Sequence, residues 1–101
     1  MAKGKKIVWS PTALEEKFDI LDFWILNNQS ITFSVKLDQE IEAAVDFLAE
    51  HPNTGRLLED KIRLTLVREY QIFYEVTEME ILILSFWDGR QDPEKLKERL
   101  E

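Results

Sequence analysis

Two arginines and two tyrosines are the side chains of this sequence best placed to do chemistry: Arg63, Tyr70, Tyr74 and Arg90 all fall in its last forty residues. A guanidinium presents its donors in a rigid fork that matches a phosphate or a carboxylate two bonds at a time. A phenol beside it could move a proton or stack on a base, although a strand tyrosine more often just finds a hydrogen bond for its hydroxyl. Arg63 sits in an alternating run and Arg90 follows the most apolar run of the chain, so the pair brackets a sheet that is charged at its ends and greasy in the middle. Such a surface suits an RNA backbone or an acidic segment of a protein partner. The competing arrangement for Arg90 is internal pairing with Asp88, Asp92 or Glu75.

Other chemistries have little to stand on. His51, the sole histidine, precedes Pro52 at an expected helix C-terminus, where the helix dipole favours a cation and a cap is the simpler role. The absence of cysteine removes disulfides, thiolate zinc sites and a cysteine nucleophile together. No histidine or carboxylate spacing suggests a metal site, and the isolated Gly4, Gly55 and Gly89 make no phosphate-cradling loop, so no metal and no cofactor is expected.

The elements that must hold the arginines follow from periodicity. Residues 5–9 form a short β-type run, after which Ser10-Pro11 supplies a hydroxyl N-cap and a proline at the first helical position. A first helix is predicted over 11–27, with Leu14, Phe18, Leu21 and Ile25 on one stripe. After the polar turn at 27–30 a second helix runs to about Glu50 on the row Leu37, Ile41, Ala44, Leu48, and the two make an antiparallel hairpin. Pro52, Asn53, Thr54 and Gly55 end it.

Strands are predicted at 61–68, 70–77 and 81–87. The first places Ile62, Leu64 and Leu66 opposite Arg63, Thr65 and Val67, and the second places Ile72, Tyr74 and Val76 opposite Gln71, Phe73 and Glu75. The third is apolar on both faces, as a central strand is. The fold class is therefore α+β, ordered β-α-α-β-β-β, with the helical hairpin on one face of a mostly antiparallel four-stranded sheet. Val67, Phe73, Ile81, Ile83 and Trp87 are expected on the other face, a patch too apolar to stay bare. Either a partner docks there with Arg63 and Arg90, or residues 93–100, with Leu96 and Leu100 one turn apart, fold back as a short helix.

A chain of 101 residues that is 45% hydrophobic predicts one domain spanning 1–101 with a single core. No apolar run suits a signal peptide or a membrane span, so a cytoplasmic protein without membrane contact is expected. Net charge is −7, against binding nucleic acid by bulk attraction. All of it resides in residues 12–50, where nine acids face only Lys17 and Lys36; elsewhere acids and bases balance.

Taken in order, Trp9-Ser10-Pro11, the 52–55 turn, Ile62-Arg63, the run from Tyr70 to Val76, and Asp88-Gly89-Arg90-Gln91-Asp92-Pro93 resemble the RelE/ParE superfamily of bacterial toxins from type II toxin-antitoxin modules, over nearly the whole chain. The resemblance implies a cognate antitoxin as partner and one of two targets: DNA gyrase for ParE-like members, or the ribosome, where RelE-like members cleave messenger RNA. Arg63 and Arg90 match family arginines, but beyond Arg90 no tyrosine, histidine or other aromatic follows, and the lysine cluster of the RNA-cutting branch is reduced to Lys61. The ParE-like branch is therefore expected, a protein-binding growth inhibitor and not an enzyme. The alternatives are an mRNA endonuclease using Arg63 and Arg90 with Tyr70, Tyr74 or Glu75, and a degenerate toxin retained for antitoxin binding. A homodimer through a sheet edge or the apolar face is a further option.

Overall fold

The computed structural model describes residues 4–88. Arg90 and the helix expected over 93–100 lie outside the described residues. In chain order the elements are strand β1 (Lys6–Trp9), helices α1 (Pro11–Asn28) and α2 (Thr32–Glu50), then strands β2 (Arg56–Glu59), β3 (Ile62–Val67), β4 (Tyr70–Val76) and β5 (Glu80–Asp88). The sheet order is β1-β5-β4-β3-β2, with β1 parallel to β5 and the other neighbours antiparallel. The α+β class is as expected, but the sheet has five strands where four were predicted. The extra strand is the edge segment β2, whose Arg-Leu-Leu-Glu sequence shows no alternation because all four residues are exposed. Among the described residues no helix is long and apolar enough to cross a membrane.

Helix α2 buries Leu37, Ile41 and Leu48 of the row its spacing predicts, whereas Ala44 is only partly buried and Val45, the next residue, takes its place in the core. Each such side chain contributes roughly 1.5–3 kcal/mol on burial. Helix α1 departs from expectation. Its buried residues are Ala13, Glu16, Lys17 and Leu21, with Ile20 and Trp24 packed against the core, whereas Leu14 is 36% and Phe18 51% exposed. The helix carries two apolar rows one residue apart, a rotation of about 100°, and the row containing the small Ala13 lies on the sheet. Lys17 is tolerated inside because its ammonium meets Asp38 at 3.2 Å and Glu42 at 3.1 Å and lies 4.8 Å from the centre of the Trp9 ring.

The sheet faces also differ from simple alternation. Pairing of β4 with β5 runs Phe73 to Ser85 and then Tyr74 to Ile83, so Leu84 is an extra residue in the ladder. This bulge puts Phe86 on the same face as Ile81 and Ile83, opposite Ile72, Val76 and Tyr74 respectively. These residues join Val67 and Tyr70 in the core beneath the hairpin. Leu66, predicted inside, is 62% exposed, and Val67, predicted outside, is 7% exposed, so the two faces of β3 are interchanged. The patch expected to await a partner is accordingly absent in that form: Val67, Ile81 and Ile83 face the helices, and Phe73 and Trp87, on the other side of the sheet, are only 3% and 6% exposed.

Two side chains hold the bulge. Ser10 caps α1 by accepting from the Ala13 amide while its hydroxyl donates to the Leu84 carbonyl at 3.2 Å. The buried Glu16 Oε1 accepts from the Ser85 hydroxyl at 2.9 Å and the Phe86 amide at 3.0 Å. Glu16→Ala removes the acceptor of a buried amide and should lower stability by about 1–3 kcal/mol. Glu16→Gln keeps a side-chain carbonyl there and should lose less; urea denaturation midpoints measure both.

Candidate functional site

Arg63 and Tyr74 are direct neighbours across β3 and β4, and both reach into the 52–55 turn that joins α2 to β2. Arg63 Nη1 donates to the Gly55 carbonyl at 2.7 Å and to the Asn53 carbonyl at 3.2 Å. The Tyr74 hydroxyl donates to the Pro52 carbonyl and accepts from the Gly55 amide, each at 2.9 Å. Four hydrogen bonds from two side chains thus satisfy a turn that has little regular structure of its own. Glycine is required at 55 by close approach: a Cβ there would lie 2.8 Å from Tyr74 Cε1 and 2.9 Å from the Leu64 carbonyl oxygen.

Tyr70 is placed differently. Its hydroxyl accepts from Trp24 Nε1 at 2.7 Å and its ring stacks on Phe86 with centroids 5.3 Å apart, so it ties α1 to the sheet from inside the core. Glu75 lines an open depression with Asp60, Lys61 and Ile62, where two carboxylates accompany one lysine, an arrangement ill suited to a phosphate. The structure therefore brings Arg63 and Tyr74 together, keeps Tyr70 apart from them, and uses all three as internal donors or acceptors. Among the described residues no group of three histidines, cysteines or carboxylates comes together as a metal site.

What residue-by-residue reading missed is on the helices. Phe18, Ile31 and Val35 are 51%, 61% and 47% exposed. The signal was present in α1, where two apolar rows compete for one core.

The fold is thus a helical hairpin laid on a sheet whose first and last described strands pair in parallel, with Arg63 of β3 tied to the turn that leads into β2. The family described as the ParE toxin of the type II toxin-antitoxin system, parDE, matches residues 7–93, and the chain belongs to it. The expected resemblance, with its ParE-like branch, is thus borne out. A solved structure described as the chromosomal ParDE toxin-antitoxin system from P. aeruginosa shares the fold with a TM-score of 0.70 at 24% identity, covering 83% of this chain and 95% of that one. No curated protein matches the sequence.

Tyr74→Phe deletes the bonds to Pro52 and Gly55 and should destabilise the fold by about 1–3 kcal/mol, with the amides of residues 53–55 exchanging hydrogen faster in proportion. Burial raises the Tyr74 pKa above its ordinary 10.0, against smaller opposing effects of the Gly55 hydrogen bond and the Arg63 charge. The folded chain then retains this proton where the unfolded chain has lost it. Stability from this group is complete below pH 10 and falls as pH rises from there through the folded value. Denaturation midpoints followed upward from pH 9 should drop, and Tyr74→Phe should flatten that part of the curve.

Proposed function

We propose that this chain arrests growth by binding an essential protein, with DNA gyrase as the target that membership of the ParE family suggests, and that a cognate antitoxin holds it inactive. The observation that carries the reading is the commitment of its described candidate catalytic groups to structure. Arg63 Nη1 is engaged by two backbone carbonyls, and the Tyr74 hydroxyl is buried with both a donor and an acceptor satisfied. Tyr70 is equally enclosed. General acid–base cleavage of RNA needs a proton-transfer group within reach of the ribose and a cation on the phosphate, and freeing these residues would dismantle the turn or the core.

The acidic helices support the same reading, because a surface carrying the chain's whole net charge repels a ribosomal RNA backbone. Purified protein should inhibit supercoiling by gyrase and leave ribosome-bound message intact. Cleavage of that message with gyrase unaffected would move the chain to the RNA-cutting branch. Normal growth on induction without antitoxin would mark a toxin fold that has lost its activity.

A further inference from the structure

Strand β2 ends the sheet with its outer edge open. Among the described elements it packs only against β3, and all four of its residues, Arg56-Leu57-Leu58-Glu59, are exposed. Leu57 is 52% and Leu58 38% exposed, so the middle of the edge is apolar. Its two ends carry opposite charges with no ion-pair partner among the described residues, whereas Arg68 and Lys17 each hold carboxylates. An edge strand presents a row of unpaired amide and carbonyl groups that another strand can take up.

In a regular strand residues three apart point to opposite faces. The bulge in β2 alters this. Arg56 lies across from Leu64 and Glu59 across from Ile62, alternate positions of β3, so the arginine and the glutamate share one face of the sheet. A two-fold axis perpendicular to the sheet and passing between Leu57 and Leu58 sets β2 antiparallel to the β2 of a second copy. In that register Arg56 stands against Glu59 of the second copy and Glu59 against its Arg56, on one face, with the leucines between them. An acidic strand would satisfy Arg56 and oppose Glu59, a basic strand the reverse, and a nucleic acid would meet Glu59 and Asp60 close to Arg56. The strand that matches both ends itself reads Arg-x-x-Glu, and this chain supplies it. The acids that give the chain its net charge lie in residues 12–50 and β2 is neutral, so two copies meet there without net repulsion.

We infer that two copies of this chain associate through β2, paired antiparallel across its free edge, with two Arg56–Glu59 pairs flanking a leucine centre. The inference goes beyond the gyrase reading and does not depend on it. The test follows the full chain by sedimentation velocity from micromolar to millimolar concentration at low salt. A reversible monomer–dimer equilibrium is expected, weak because a strand pair of four residues falls below the roughly 1,200–2,000 Å² of a stable interface. Arg56→Glu and Glu59→Arg each set like charges against one another twice, and each should raise the dissociation constant at least about tenfold. Both positions are exposed, so the far-UV circular dichroism should stay unchanged. The double variant Arg56→Glu with Glu59→Arg restores both pairs and should return the dissociation constant to within about threefold of the original. Leu26→Ser, near the end of α1 and 78% exposed, should leave the equilibrium unaltered. A chain that stays monomeric at millimolar concentration, a dimer indifferent to the single charge reversals, or a double variant as weak as the single ones would overturn the inference.

Discussion

Glu16 reaches from the first helix to the irregular point of β5 and accepts there from two donors on adjacent residues, the Ser85 hydroxyl and the Phe86 amide. A carboxylate is costly to bury, and these bonds offset the loss of water. The arrangement holds the extra residue in the ladder, and that residue decides which side chains lie under the helices. With it, Ile81, Ile83 and Phe86 share one face with Ile72 and Tyr74; an unbulged strand would turn Phe86 to the opposite side. Ser10 grips the neighbouring Leu84 carbonyl while capping α1, so the start of the helix and the bulge are positioned by the same hydroxyl.

This constraint explains where reading the sequence worked and where it did not. Helix α2 and strand β4 follow their periods because each buries a face on its own terms: Leu37, Ile41 and Leu48 at helical spacing, Ile72 and Tyr74 at alternate positions. The faces of β5 were not legible, because a bulge is an agreement between two strands and a helix far apart in the chain. Helix α1 offered two apolar rows, and only the small Ala13 together with partners for Glu16 and Lys17 decides between them. Strand β2, short, exposed and without alternation, is defined almost wholly by its neighbour β3.

The arginine that first suggests chemistry illustrates a related point. Arg63 and Tyr74 have the residue types of a phosphate site, and the sequence alone leaves a ligand and a structural bond both open for the arginine while favouring a structural bond for the tyrosine. Paired across two strands, they instead supply the donors and acceptor that an irregular turn lacks.

The strand order also bears on how the molecule comes into being. β5 lies between β1 and β4, touches helix α1, and is the last made of the described strands. Until it leaves the ribosome, β1 has no neighbour to pair with and the hairpin has no complete floor to cover. Residues 6 and 80 must meet before the sheet closes, which makes the decisive contacts among the most distant in the chain. A nascent chain therefore cannot present the finished sheet, or the surface built on it, until β5 has emerged.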